Sequence, residues 1–548
     1  MEAIEASNRS GGCGADSRVL LKGGLIVDGT GRKGFVGDVL IEGSQIASIS
    51  PAPVDVECGS LDCSGKVVAP GFIDVHSHMD WVLPADGLAE LKTPYLAQGC
   101  TTFVTGNCGF SPGGFRENSP FKRRIGLGAD RLFDLAWDSI EGYFDHLERV
   151  GLTHNVVHLV GHGTTQISLR GLDPSPLGPD ERCELLRLLD EALDQGAAGV
   201  SFGLGYEPGM FLPNEDVAEI AKRVASRDKV VTVHGRAYSA VSGAYRERGG
   251  TPHNVRSLRE MVDVARDTGV RLQYSHLMFF GTKSYPTYRP CLEVLDRAGA
   301  EGADVMTDTY PYHCGNSVIN VLLPPWFLAG LPANYSNPEA VQRVERGLER
   351  MPEALGFGFD DVQVVYASHP ELDEHNGRFV SEIAAELGIS GARAVLLLSE
   401  KSNGRARVLN HSYSDMEIVD ALIRHPACLF MTDAVVSKGG VQNPAAFGSF
   451  PLLLQYARDR RLVSLEEAVR KMTGASAERL RLKDRGFLRP GLAADITVFD
   501  WETVRDNNTP SAPNCAPSGI DAVFVNGRQV LSRGRVDASA RAGVVVRT

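Results

Sequence analysis

Five segments of this chain end an apolar run on a side chain that can bind a metal ion or move a proton. They are Pro70-Gly71-Phe72-Ile73-Asp74-Val75-His76-Ser77-His78, Val104-Thr105-Gly106-Asn107-Cys108, Val230-Val231-Thr232-Val233-His234, Leu272-Gln273-Tyr274-Ser275-His276 and Leu429-Phe430-Met431-Thr432-Asp433. On a strand, side chains two apart share a face, so His76 and His78 can reach one ion together. A thiolate with several imidazoles suits a divalent metal, and a carboxylate beside them can take and return a proton. Taken singly, each residue has a plainer explanation. A lone histidine at a strand end is ordinarily structural, Cys108 a packed thiol and Asp433 the cap of the following helix. Only the set makes them ligands.

Placing five such segments together requires a scaffold with many strand ends on one face. The sequence supplies eight apolar, strand-like runs: Val67 to His78, Thr101 to Cys108, Asn155 to Gly161, Gly196 to Leu204, Lys229 to His234, Arg271 to His276, Asp304 to Tyr312 and Ala427 to Asp433. Amphipathic segments such as Glu184 to Leu193, Asn214 to Ala225 and Val255 to Ala265 alternate with them, and Ser464 to Met472 follows the eighth. That last segment opens with Ser464 and Glu467 at capping-box spacing. Eight such units predict an α/β fold, a (β/α)8 TIM-like barrel over 67–484, with its active site at the strands' C-terminal ends.

The ends of the chain read differently. Residues 1–18 are polar and Gly/Ser-rich, and are expected to be a disordered tail. Segments 19–66 and 485–548 read as short strands that build a small β-sandwich from both termini. Within them, Asn526-Gly527 between two apolar runs signals a type I′ hairpin. Residues 314–412, between strands seven and eight, form a long insertion with a strand-like Val362 to Tyr366 and a helix-like Arg378 to Leu387. Such insertions on a catalytic face tend to be lids or binding elements.

Composition narrows the function classes. The chain has 548 residues, 43% of them hydrophobic, enough for a large core and a smaller companion unit. With a net charge of -12 and no basic block, nucleic acid is an unsuitable partner. The first residues lack a signal-like apolar core, and no stretch is apolar enough for a membrane helix, so a cytoplasmic protein is expected. Ten scattered Cys without a C-x-x-C pair fit reduced thiols. The oligomeric state is not encoded in any of these features.

Several segments together resemble the N-acyl-D-amino-acid deacylase (D-aminoacylase) branch of the amidohydrolase superfamily. They are the His76/His78 segment, Gln98-Gly99-Cys100-Thr101-Thr102, Gly106-Asn107-Cys108-Gly109-Phe110-Ser111, Gly161-His162-Gly163-Thr164, Ser275-His276-Leu277, Tyr310-Pro311-Tyr312, His425-Pro426 and Leu488-Arg489-Pro490-Gly491-Leu492-Ala493-Ala494-Asp495. The resemblance is collinear from about Val19 to the C-terminus. Most of the superfamily bridges its metals with a carbamylated Lys from the fourth strand, whereas Ser201-Phe202-Gly203-Leu204-Gly205 contains none, which fits a Cys-bridged variant. The resemblance implies a tightly held Zn2+ on Cys108, His234 and His276, and a second, weaker site on His76, His78 and Asp433. Asp433 would then be the general base and acid of amide hydrolysis, with a small N-acylated molecule as substrate. Asp74 would either orient an imidazole or bond to backbone at the barrel rim. His158 reads as structural, His162 as a structural residue or a substrate contact, and His425 as a partner for a helix C-terminal dipole.

Two departures from the family pattern bear on the substrate. Where relatives have Gly-Ser-Asp-Gly, this chain has Met431-Thr432-Asp433-Ala434. Where they follow the sixth-strand His with Leu-Lys, it has Leu277-Met278. The resemblance gives that Lys, the equivalent of Tyr310 and a nearby Ser, here matched by Ser317, the task of holding a substrate carboxylate. A carboxylate entering a dry pocket without a cation is under-compensated. Either Arg236 or Lys283 replaces the missing charge, or the substrate is not a simple free N-acyl-D-amino acid. A cyclic amidase of the hydantoinase or dihydroorotase kind, a non-catalytic scaffold and a non-hydrolytic tailoring enzyme on the same fold are the rival readings.

Overall fold

The computed structural model describes residues 18–126, 132–173, 175–245, 249–509 and 512–548. The expected tail, residues 1–18, falls almost wholly outside them, and Arg18 already begins a strand.

Eight short parallel strands form the barrel: Phe72–Asp74, Cys100–Thr105, Asn155–His158 continued by Val160–Gly161, Gly199–Gly203, Val230–His234, Arg271–Tyr274, Val305–Thr309 and Cys428–Phe430. Strands one to three pair, with a register shift between Phe72 and Ile73, and strands three to eight pair in register. The two ladders are joined at Leu159, whose N–H donates to Thr105 O while His158 O accepts from Ala198 N. Strands eight and one close the ring just beyond their ends, where Asp433 N donates to His76 O at 3.0 Å. The strands are buried on both faces, which is why they read as continuous apolar runs rather than alternating ones. Around them, helices such as Pro179–Asp194, Asn214–Ala225 and His253–Thr268 bury one leucine- and valine-rich stripe each.

Two expectations need correction here. The first apolar run is two strands rather than one, because Val67–Pro70 pairs with Arg18–Ile26 and Ile496–Phe499 outside the barrel. The chain crosses between the two layers at Gly71, where a Cβ would lie 2.2 Å from Thr101 Oγ1. The second concerns the capping box, of which half forms. Ser464 Oγ accepts from Glu467 N at 3.1 Å, while the Glu467 carboxylate pairs with Arg470 at 2.7 Å.

The terminal strands form one connected nine-stranded sheet from both chain ends. It curls over a shared core of Leu21, Ile26, Val39, Ile41, Val68, Ile496, Val498 and Phe524. Asn526 and Gly527, at φ 46° and 79°, turn the hairpin between Ile520–Val525 and Arg528–Ser532, as type I′ geometry demands. The sheet is anchored to the barrel by buried Asp495, which accepts from Arg485 at 2.6 Å, Asn155 Nδ2 at 2.9 Å and Asn526 N at 2.8 Å. The last residues leave the sheet altogether and run beside strand three, with Val156 N donating to Val544 O.

The insertion is a packed unit. Gly315–Val318, Arg407–Asn410 and Val362–Tyr366 make an antiparallel sheet, and its inner face shares an apolar core with helices Pro338–Leu348, Val380–Leu387 and Gly391–Lys401. The outer face clasps the segment that follows strand eight, one contact per strand. Asn316 Nδ2 donates to Asp433 O at 3.4 Å, Arg407 Nη1 to Val436 O at 3.2 Å, and Val365 O accepts from Val441 N at 2.9 Å.

Candidate metal centre

The Gly106-Asn107-Cys108-Gly109 turn is fixed from three sides. Gly106 has φ 78°, and a Cβ on it would strike Leu159 O at 2.0 Å, so no other residue fits. Asn107 donates to Val104 O at 3.0 Å and accepts from Thr232 Oγ1 of strand five at 3.2 Å. The fourth strand contributes Ser201, whose hydroxyl donates to Gly106 O at 2.5 Å and accepts from Gly109 N at 3.0 Å. The fourth strand, which carries no Lys, thus uses Ser201 at its middle to staple the turn that carries Cys108.

Cys108 Sγ lies 3.3 Å from His76 Nε2, 3.5 Å from His276 Nε2 and 3.8 Å from His234 Nδ1, and the last two nitrogens are 3.0 Å apart. Asp433 Oδ1 is 3.4 Å from His76 Nε2 and 3.3 Å from His78 Nε2. Zinc bonds of about 2.0–2.1 Å to nitrogen and about 2.3 Å to sulfur put tetrahedral ligand atoms roughly 3.3–3.6 Å apart. The donor set therefore fits zinc in spacing and in chemistry. His76 stands between the two groups, touching both Cys108 and Asp433. The histidine pair sits differently from expectation, because the first strand ends at Asp74 and both imidazoles lie just past it. The chain there still runs beside strand two, Ser77 N donating to Val104 O.

Three of these residues turn sharply at their strand ends, with φ of 57° at Cys108, 33° at His276 and 47° at Asp433. Left-handed backbone at such residues costs about 1–3 kcal/mol each and persists only where neighbours enforce it. Asp308 holds His276, accepting its N–H at 2.5 Å, and its other oxygen accepts from Gln273 Nε2 at 2.7 Å. Gln273 in turn accepts from Arg479 Nε at 3.2 Å, so a buried polar column rises through the barrel interior to the site. Asp74 holds the other side, accepting from Thr432 N at 2.9 Å and Thr432 Oγ1 at 2.6 Å. It also accepts from His76 N at 3.4 Å, so of its two expected roles the structure shows the bond to backbone at the rim.

The electrostatics differ across the site. Burial, with a smaller contribution from neighbouring imidazoles, holds His76, His234 and His276 below their ordinary value, leaving neutral rings that can ligate a cation. Burial and Asp433 push the Cys108 thiol up, so a bound cation is what would hold it as thiolate. For Asp433 burial alone would raise the carboxyl, but His76, His276 and His78 pull it well below the usual range. Burial pushes Asp74, Asp80 and Asp308 up to about 7.

The remaining candidates divide. Tyr310 is buried with its hydroxyl unpartnered among the described residues, beside Gly315, and Asp433 is the nearest strong charge on it. Ser317 lies on the insertion's first strand, two residues from Gly315 on the same face. Met278 is half-buried against the barrel core. His162 is fully buried, stacked on Phe202 at 5.2 Å, and neither ring nitrogen has a partner among the described residues. Arg236 and Lys283 are drawn elsewhere. Arg236 donates to Met210 O, Leu212 O and Asn214 Oδ1 and faces Glu260 at 3.6 Å, while Lys283 donates to Glu353 O of the insertion. His158 bonds Thr105 Oγ1, as a structural residue would. At the helix end beside His425, the cation is Lys471, donating to Ile423 O and His425 O at 2.7 and 2.6 Å; burial keeps His425 itself below its ordinary value. Asn316, Asp308, Gln273 and Ser201 carried no sequence signal of a role here.

A cluster of cysteine, histidines and an aspartate that could hold a metal ion, at the C-terminal rim of such a barrel, is the arrangement expected of an amidohydrolase. The family model described as "Amidohydrolase family" matches residues 60–314 and 402–531, and the chain belongs to that family, in its D-aminoacylase branch. It is 32% identical to N-acyl-D-glutamate deacylase of Alcaligenes xylosoxydans xylosoxydans, with 96% of each chain covered. The crystal structure of N-acyl-D-glutamate deacylase from Bordetella bronchiseptica, complexed with zinc and a phosphonate mimic of the tetrahedral intermediate, superposes with a TM-score of 0.80. That match has 28% identity over 97% of this chain and 100% of the other. A D-aminoacylase structure concerned with the role of its binuclear metal centre, one metal activating and the second attenuating, gives 0.79 at 28% identity. It covers 97% of this chain and 99% of that one.

Proposed function

We propose that this chain is a zinc-dependent hydrolase of non-peptide C–N bonds, cleaving the amide of a small N-acylated amine of the N-acyl-D-amino-acid class. The observation that carries this reading is the convergence of Cys108, His234, His276, His76, His78 and Asp433 at zinc-ligand spacing. Cys108, His234 and His276 would hold the first ion, and His76, His78 and Asp433 a second. Bound zinc supplies a Lewis acid for the amide carbonyl and lowers the acidity constant of water from 15.7 to about 7.

The chain's own residues do the rest. Asp433, a carboxylate held below its usual range beside His78, accepts the proton of the attacking water and returns it to the leaving nitrogen. Without that proton an amine anion would have to depart. Water's oxygen bonds the acyl carbon, the C–N bond breaks, and a carboxylic acid and an amine are released. The Tyr310 hydroxyl, buried beside this centre without a partner among the described residues, is the group placed to bind a polar atom of the substrate. The rival cyclic amidases rely on a fourth-strand Lys, and Ser201 occupies that strand here. The survival of all six cluster residues speaks against a scaffold. Zinc quantitation on purified protein with a panel of N-acetyl-D- and L-amino acids and neutral amides tests the reading. Inactivity of zinc-loaded protein on every amide ends it.

A further inference from the structure

The terminal sheet touches the segments that leave strands seven and eight through one loop, between Ile496–Phe499 and Ile520–Val525. Tyr312, just past strand seven, donates its hydroxyl to Asp506 Oδ2 of that loop at 2.7 Å and accepts from Asn508 Nδ2 at 3.2 Å. The same carboxamide donates to Pro444 O at 3.2 Å, and Asp506 N donates to Gln455 Oε1 at 3.3 Å, which ties the loop to helix Ala445–Asp459 after strand eight. The loop is braced from within. Asp506 Oδ1 accepts from Asn508 N at 3.0 Å, and Asn508 Oδ1 from Cys515 N at 2.8 Å. Where the helix meets this node it carries Gly448, because a Cβ there would overlap Asp506 Oδ1 and Tyr312 Oη. Glycine weakens a helix interior, and here the close approach of the node requires it.

Tyr312 is separated from Tyr310 by Pro311 alone. Proline fixes its own φ and confines the residue before it to extended backbone, so the three residues form a stiff link. The Tyr310 hydroxyl has no partner among the described residues, so no bond at its tip aims the phenol. Its aim is set from the backbone at its base. We propose that Asp506 and Asn508 are positioning residues for Tyr310, acting through Tyr312, and that the terminal sheet thereby takes part in substrate binding. This rests on the reading of Tyr310 as a substrate contact and extends it to the second unit of the fold.

The test compares the zinc-loaded full chain with its Tyr312→Phe and Asp506→Ala variants on N-acetyl-D-amino acids. KM is expected to rise about tenfold, with kcat within about threefold of the parent and zinc content unchanged. In a Tyr310→Phe background, Tyr312→Phe is expected to add less than about threefold, because the group it aims has gone. A loss of thermal stability with KM unchanged, or the same rise in KM in both backgrounds, overturns the proposal. Hydrogen exchange gives a readout that needs no turnover. Amides of residues 309–316 should exchange at least about fivefold faster in either variant, with those of 271–276 unchanged. Equal exchange over 309–316 in parent and variants also overturns the proposal. Faster exchange there in the variants of a chain that hydrolyses no amide would strike the hydrolytic reading and leave the coupling of Asp506 to Tyr310 standing.

Discussion

The two halves of the proposed metal centre are built on different physical terms. One half, Cys108 with His234 and His276, comes from strands two, five and six and consists of soft ligands whose imidazoles burial keeps neutral. The other, His76 and His78 with Asp433, joins strands one and eight across the barrel's closing seam and pairs a carboxylate with His78, which burial would lower but the Asp433 hydrogen bond raises above its ordinary value. The first half is suited to holding an ion and the second to moving a proton. His76 belongs to both, which couples them.

This contrast is broken most directly by Cys108→Ser, expected to abolish zinc retention after dialysis and lower kcat/KM by about 1,000-fold or more. Metal analysis decides, and full zinc in the variant would refute the division. Asp433→Asn should behave oppositely, keeping one zinc per chain while kcat falls about 10²–10⁴-fold. If it loses metal as completely as the cysteine variant, the halves are not distinct. A smaller effect is expected from Thr432→Val, which removes the hydroxyl bonded to Asp74. Activity should fall roughly 10-fold at unchanged zinc content, with thermal denaturation reporting about 1–3 kcal/mol of lost stability.

The smallest effect sharpens the neutral side. Burial lowers His162 from 6.5 to about 4, so as pH falls below 6.5 the unfolded chain takes up a proton that the folded one declines. Its contribution is complete above pH 6.5 and drains away toward pH 4. His162→Phe should therefore gain stability relative to the parent by about 1.4 kcal/mol for each pH unit in that window. Parallel denaturant titrations at pH 7, 6 and 5 check the slope, and a constant difference would contradict it.

Which side chains gather at the rim was legible before any coordinates, because these residue types stand out when they end apolar runs. The eight strands were legible for the same reason, being buried on both faces. What was not legible depends on partners hundreds of residues away. For Asp74 the sequence left two roles open, orienting an imidazole or bonding to backbone at the rim, and only the distant Thr432 selects the second. Val67–Pro70 read as the start of the first barrel strand, but pairing with Ile496–Phe499 draws it into the terminal sheet. Glu467 had the spacing of a capping box and found Arg470 instead. From its length the insertion read as a lid or a binding element. Its apolar core and its three contacts with the segment from Asp433 to Val441 also make it a clasp, and only tertiary pairing could reveal that.

The seam between strands one and eight has a further consequence during synthesis. Residues 72–78 leave the ribosome early, yet their closing partners Thr432 and Asp433 appear some 350 residues later, and the sheet that anchors Val67–Pro70 waits for Ile496–Phe499. At a few residues per second the nascent chain spends on the order of a minute with an unsealed barrel edge and an incomplete ion cage. The three soft ligands are complete long before strand eight emerges, so any fragment ending before that strand would hold them without the acid that makes them useful.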